Sequence, residues 1–342
     1  MDIPIQNIYY LLCYAWDKLD EKEIVNVDKI DSKDIMDLFA RVLINGCLHL
    51  FKRGVDRNYI QFTQELKGIK SKPIFGEYIK RNLKLKASMV CEYDEFHHNI
   101  LHNQIIKSTL RTLILFKGLD KKLKVLLVRI YRRFHETDDI KINSKNFKSV
   151  RLNRNNYFYD FLIKICQIIH ENVLINEDKG IYKFMDFIRD ENKMDVLFEN
   201  FVRNFYKKEQ NVYKVGVEII NWDIEVQPEG TTGLLPVMKT DISLESPIRK
   251  IIIDTKYYKE TLTEHYNKER IHSTNLYQIF AYLKNVEAKG GVNKNCDGML
   301  LYPTVSRELD EYTVIQGHKI MFKTVNLLND WKTIEKRLLS LI

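Results

Sequence analysis

Residues Ile251-Ile252-Ile253 run directly into Asp254-Thr255-Lys256, and this junction constrains the fold more than any other stretch of the chain. Three consecutive β-branched residues read as a strand, and a strand apolar on both faces belongs inside a sheet that is covered on both sides. Alternation then sets Ile252, Asp254 and Lys256 on one face and Ile251, Ile253 and Thr255 on the other. Asp254 and Lys256 fall at the edge of the buried region.

Thr240-Asp241 lies in a second run of strand character, residues 237–243, and Glu245-Ser246-Pro247 supplies turn chemistry between the two runs. A hairpin follows. If Asp241 pairs with Asp254, the midpoint falls at Pro247 and Ile248, within that turn, and the opposed Cβ atoms lie about 4.5–5.5 Å apart. Two carboxylates this close repel each other unless a proton or a cation sits between them. Mg²⁺ is the natural candidate, because it takes one or two carboxylates together with waters and phosphate oxygens. Lys256 is placed to orient or deprotonate the attacking water and to offset charge building on phosphorus. A lone Asp-x-Lys is usually a surface ion pair. The buried isoleucines and the hairpin register raise the phosphodiesterase reading above that background.

Asp241 followed by Asp254-Thr255-Lys256 after three isoleucines resembles the core of the PD-(D/E)XK nucleases. That superfamily commonly carries an acidic residue on the helix before the hairpin, matched here by Glu199 in Leu197-Phe198-Glu199-Asn200-Phe201-Val202. Some branches carry Gln-x-x-x-Tyr on the helix after it, matched by Gln278 and Tyr282. Met194, Phe198, Phe201, Val202 and Phe205 form a helical apolar stripe with Glu199 near its border. Gln278 and Tyr282, four apart, share a helix face. Without the resemblance, Glu199 reads as readily as a solvated helix-edge residue, and Gln278 and Tyr282 as polar tips of a core helix.

A narrower resemblance spans nearly the whole chain. Ile5-Gln6-Asn7-Ile8-Tyr9-Tyr10-Leu11-Leu12-Cys13-Tyr14-Ala15-Trp16, Lys52-Arg53-Gly54, Cys91-Glu92-Tyr93-Asp94-Glu95-Phe96 and Asn103 resemble the McrC family, the nuclease subunit of McrBC-type modification-dependent restriction systems. The resemblance implies a Mg²⁺-dependent DNA endonuclease, with Mn²⁺ as a substitute. It acts on double-stranded, methylated DNA when assembled with a McrB-like AAA+ GTPase hexamer that it also stimulates, and complexes pair for double-strand cleavage. The implied roles are Asp241 and Asp254 as metal ligands, Lys256 as the water-orienting residue, Glu199 as an additional or outer ligand, and Gln278 with Tyr282 as substrate positioners. Two other readings stay open: an inert adaptor of the motor, and a repair nuclease that works alone.

The 342 residues suffice for two domains with proper cores, and 45% hydrophobic content with 13 Gly and 6 Pro argues against disorder. The five cysteines show no C-x-x-C spacing, which excludes a zinc ribbon and fits a reducing cytoplasm. The start lacks a basic n-region and an apolar h-region, so neither secretion nor a membrane span is expected. Residues 191–342 hold 21 Lys plus Arg against 21 Asp plus Glu, so the net charge of +8 resides in residues 1–190. DNA is then presented by partners or by the amino-terminal half, unless a local patch of Lys256, Lys259, Lys268 and Arg270 suffices. The basic run from Lys117 to Arg133 reads as an amphipathic helix, more often a solvated face than a DNA or motor contact. Lys145, Lys148, Arg151 and Arg154, near Tyr157, carry the same ambiguity. His97, His98 and His102 lack the companions of a metal site and read as turn residues.

The expected architecture is α/β. Residues 191–342 form a PD-(D/E)XK nuclease domain, a mixed sheet flanked by helices, with strands near 213–220, 223–227, 298–302 and 319–327 and a helix over 271–286. Residues 1–190 form an α+β domain with a helical linker. That half has helices over 5–17, 34–52, 100–135 and 157–173, strands over 58–64 and 87–93, and a polar loop at 136–156.

Overall fold

A computed structural model describes residues 3–17, 35–81, 83–153, 156–176, 181–184, 190–225, 234–257, 263–265, 268–304 and 308–342. The chain divides into two compact units, residues 31–185 and residues 186–342 joined by residues 1–30. The first helix, α1 (Ile5–Ala15), belongs with the carboxy-terminal unit and not with the amino-terminal domain expected over residues 1–190. Its own side chains account for this. Asn7 donates to the Leu327 and Asn329 carbonyls at 2.7 and 2.8 Å, and Tyr14 donates to Glu209 at 2.6 Å. Tyr10 and Tyr14 stack on Trp331.

The unit of residues 31–185 contains α2 (Ile35–Arg53), β1 (Asn58–Leu66), β2 (Lys72–Pro73), α3 (Phe75–Lys80), β3 (Met89–His97), α4 (Leu101–Leu115), α5 (Lys121–Arg133), α6 (Ser144–Ser149), α7 (Phe158–Asn172), β4 (Val173–Asn176) and β5 (Ile181–Phe184). β1, β3 and β2 form an antiparallel sheet in that order, and α4 packs against α2, α5 and α7. The expected loop at 136–156 contains α6, whose start is closed by a reciprocal cap between Asn143 and Asn146. On α5, Leu123, Leu127 and Ile130 are buried and the basic side chains face outward, as its amphipathic spacing predicts.

The histidines of this unit serve its scaffold. His102 Nε2 lies 2.8 Å from Asp56 Oδ2, and His98 Nε2 accepts from Arg57. Asn103 donates to the carbonyls of Asp56 and His98 and accepts from the Tyr159 hydroxyl. These bonds tie the segment between α2 and β1 and the end of β3 to α4 and α7. One departure from expectation is that β3 extends to His97, which sits in a strand and not in a turn.

The carboxy-terminal unit contains, besides α1, the elements α8 (Glu191–Glu209), β6 (Lys214–Gly216), β7 (Ile219–Ile220), β8 (Met238–Lys239), β9 (Ile242–Glu245), β10 (Lys250–Thr255), β11 (Thr263–His265), β12 (Lys268–Arg270), α9 (Ser273–Glu287), β13 (Asp297–Pro303), β14 (Asp310–Ile315), β15 (His318–Val325) and α10 (Trp331–Ser340). Six strands form one mixed sheet in the order β14-β15-β13-β10-β9-β6. β10, β13 and β15 run parallel, while β9 and β14 are antiparallel to their neighbours. β10 is buried along its full length, as its isoleucines require.

Ile252, Leu300, Tyr302 and Ile320 form one face of the sheet core, packed with Ile279, Leu283 and Val286 of α9. Gly298 permits that approach, since a Cβ there would lie 2.9 Å from Leu283 Cδ1 and 3.0 Å from Ile279 Cγ1. Helix α8 lies against β10 and β6. Its start is capped by Asp190, and its buried stripe runs through Met194, Phe198, Phe201, Val202 and Phe205.

Three strand expectations change, the first being that the run near 213–220 is split into β6 and β7, which lie in different sheets. The run 237–243 is split into β8, which pairs with β7, and β9, which pairs with β10 and β6; between them Thr240 meets Glu218, next in the β7–β8 register, donating to its carbonyl and accepting from its amide, both at 2.9 Å. Residues 223–225 form no strand, and 226–227 lie outside the described residues.

Candidate functional site

The site lies where β10 ends. The β9–β10 hairpin pairs Lys250 with Glu245, Ile251 with Leu244, Ile252 with Ser243 and Ile253 with Ile242. The next step of this register brings Asp254 opposite Asp241. The ladder stops one pair short, and Asp241 occupies a bend. Its Oδ2 accepts from the Thr255 amide at 2.8 Å and from the Thr255 hydroxyl at 3.2 Å. Oδ1 accepts nothing among the described residues.

Asp254 is fully buried, and neither of its oxygens accepts a well-formed hydrogen bond. Its neighbour in charge is Lys256, whose Nζ lies 2.9 Å from Oδ2. Burial and then the Asp241 charge push the Asp254 carboxyl up to about 7, with Lys256 pulling the other way. Burial also raises the Asp241 pKa, while Lys256 and the two Thr255 hydrogen bonds hold it back. For Lys256, burial disfavours the charge, yet the carboxylates of Asp254, Asp241 and Asp195 outweigh burial and raise its pKa. The amine is therefore an ammonium. In this form Lys256 donates hydrogen bonds and stabilises negative charge, since an ammonium has no lone pair to receive a proton.

Glu199 reaches the site's border. Burial and the nearby Asp241 charge raise its pKa, and Arg203, bonded to it at 2.6 Å, opposes the shift. Arg203 also donates to the Asp241 carbonyl at 3.2 Å, so this pair braces the bend that carries Asp241. Gln278 and Tyr282 occur together on α9 as their spacing requires. Gln278 Nε2 donates to the Tyr282 hydroxyl at 2.8 Å, and that hydroxyl donates to the Lys239 carbonyl at 3.1 Å. Burial raises the Tyr282 pKa, and the Asp254 and Asp241 charges add to it.

Sequence reasoning missed Asp195, one turn before Glu199 on α8. It accepts the Tyr257 amide at 2.9 Å, and its charge acts on Asp241, Asp254 and Lys256. Its only signal in the sequence is a carboxylate at the N-terminal end of the helix that carries Glu199. Glu218, by contrast, is occupied elsewhere, pairing with buried Lys250 and with Lys289, both at 2.7 Å. Lys259 and the side chains of Lys268 and Arg270 lie outside the described residues.

The oxygens able to hold a hard cation are those of Asp254 and Oδ1 of Asp241. Among the described residues no set of three or more His, Cys, Asp and Glu side chains forms a ready-made metal cage. All five cysteines are free and buried, and no described helix is long and apolar enough to cross a membrane.

A family model described as McrBC 5-methylcytosine restriction system component matches residues 6–303. The Type IV methyl-directed restriction enzyme EcoKMcrBC of Escherichia coli (strain K12) is 32% identical over 339 residues, covering 99% of this chain and 97% of that relative. Among solved structures, the fold is similar to a chain of a refined half-complex from a tetradecameric assembly of Thermococcus gammatolerans McrB AAA+ hexamers with bound McrC. The TM-score is 0.60 at 15% identity, with 99% of this chain and 76% of that chain covered.

Proposed function

The chain belongs to the McrBC family of restriction-system components, and from that premise we propose that it is the Mg²⁺-dependent endonuclease subunit of a McrBC-like complex, built on a PD-(D/E)XK core. It cleaves methylated double-stranded DNA when assembled with an AAA+ GTPase hexamer, which it also stimulates. The observation that carries this reading is Asp254. A fully buried carboxylate opposite a second carboxylate, with the Lys256 ammonium 2.9 Å from one oxygen as their shared charge partner and no well-formed hydrogen bond to either oxygen, remains short of positive charge. Such a carboxylate fits a divalent cation.

Asp254 and Oδ1 of Asp241 would hold the ion, and its other ligands would be waters and phosphate oxygens, as is usual for Mg²⁺. The ion would supply Lewis-acid stabilisation of the negative charge that grows on the phosphate oxygens. Thr255 holds the Asp241 carboxylate in place through Oδ2, leaving Oδ1 directed elsewhere. The Lys256 ammonium, already charged, donates to the attacking water or to a phosphate oxygen and stabilises the extra charge of the transition state. Arg203 and Tyr282 steady the 239–241 segment through the carbonyls of Asp241 and Lys239. Glu199, tied to Arg203, acts on Asp241 and needs no bond to the ion.

The test is cleavage of methylated plasmid by the chain together with a McrB-type AAA+ partner, GTP and Mg²⁺. Asp254→Ala lowers the cleavage rate by ~10²-fold or more while GTP turnover by the partner is still stimulated. Normal cleavage by that variant refutes the assignment. Stimulation without cleavage by the wild-type chain, across several modified DNAs, marks an inert adaptor instead.

A further inference from the structure

Lys256 stands just past the end of β10. Its own amide still donates to the Leu301 carbonyl at 3.0 Å. The following amide, that of Tyr257, turns to helix α8 and donates to Asp195 Oδ1 at 2.9 Å. The Tyr257 ring is buried and meets Phe198 of the same helix edge-on, with centroids 6.3 Å apart. Asp195 and Phe198 are three residues apart and therefore share a face of α8, so the helix grips the backbone and the ring of one residue at once. That helix is itself fixed, by the Asp190 cap and by a fully buried aromatic stripe.

We propose that Asp195 is a positioning residue of the site: by accepting the Tyr257 amide it fixes the segment leaving β10 and so holds the Lys256 ammonium against Asp254. This rests on the function proposed above for Asp254 and Lys256. A lysine ammonium rides on a flexible four-carbon stem, so its place 2.9 Å from Asp254 depends on where its Cα is held. A carboxylate accepts an amide more strongly than a neutral group does, and its charge also favours the ammonium. Glu199, one turn further along α8, is committed to Arg203 and has no bond to the 256–257 segment among the described residues.

Two variants, Asp195→Ala and Asp195→Asn, separate anchoring from mere presence of a side chain, since asparagine keeps an acceptor oxygen. The first readout is the rate at which acetic anhydride modifies Lys256 in the purified chain, followed by peptide mass spectrometry. Buried Lys250, held by Glu218 and Asn293, reports that the unit stays folded. Asp195→Ala makes Lys256 several-fold more reactive with Lys250 still protected, and Asp195→Asn stays near the wild-type rate. The second readout is cleavage in the assembled complex: kcat falls by ~10-fold or more in Asp195→Ala, with KM for DNA unchanged, and Asp195→Asn recovers most of it. Unchanged Lys256 reactivity in Asp195→Ala overturns the proposal, and so does an asparagine variant as impaired as the alanine one. If Lys256→Gln cuts DNA normally while the reactivity shift is observed, the function assigned to Lys256 fails and the positioning stands.

Discussion

At the scale of single residues, Asp254 links stability to pH. Burial and the Asp241 charge raise its carboxyl from 3.8 to about 7, so between these values the folded chain keeps a proton that the unfolded chain has released. Stability then falls as pH rises through that window. In EDTA the wild-type chain melts at a lower temperature at pH 8 than at pH 5, and Asp254→Asn narrows the gap. Adding Mn²⁺ at pH 8 raises the melting temperature of the wild type and not of the variant. Equal gaps in the two proteins would count against a buried carboxylate that ionises at a cost. The Asp241, Asp254 and Lys256 positions could be argued from the sequence because strand alternation and hairpin symmetry are local rules; the observed ladder ends at Ile253 and Ile242, one pair short of Asp254 and Asp241. Asp195 was not legible, because its partner is a backbone amide 62 residues away and an amide carries no side-chain signal.

At the scale of elements, α9 has two tasks, closing the core over β13 and steadying the 239–241 segment. Gly298→Val thrusts a side chain into Leu283 and Ile279, and the overpacking costs about 1–3 kcal/mol, read as a lower melting temperature. Tyr282→Phe removes the bond to the Lys239 carbonyl and the one from Gln278. It costs about 0.5–1.5 kcal/mol and slows cleavage more than Gln278→Ala does, because only the tyrosine touches the 239–241 backbone. Equal rates for the two variants would show that the hydroxyl has no bracing role. The buried strand β10 and the helices α8 and α9 follow from apolar period alone. β14 was missed although Tyr312, Thr313 and Val314 favour strands and Gln316-Gly317, both with positive φ, makes a two-residue hairpin turn into β15. The break in the 237–243 run was hidden for a different reason: its residues are strand-like by propensity throughout, and only the choice of partners, β7 for β8 and β10 with β6 for β9, divides it.

At the scale of the whole molecule, the chain's order and its units do not coincide, since α1 completes the unit formed by residues 186–342. An apolar helix shows which face it buries and not what will cover it, so this membership could not be read from residues 5–15. Ile8, Leu11, Leu12 and Tyr14 are buried in that unit, each contributing about 1.5–3 kcal/mol. A chain beginning at residue 191 is therefore expected to be protease-sensitive and to melt without a cooperative transition; a sharp transition would contradict the assignment of α1. The charge-neutral segment 191–342 bears on DNA capture in the same way. Without a motor the purified chain should nick DNA poorly at physiological salt.

The most direct test of the account is a Mn²⁺-soaked crystal examined by anomalous diffraction at the end of β10. The prediction is one anomalous peak within coordinating distance of both Asp254 and Asp241, about 2–2.5 Å from their oxygens, with the Lys256 ammonium beside it. A crystal with no peak there, or with the ion bound at other residues while the complex still cuts DNA, would contradict it.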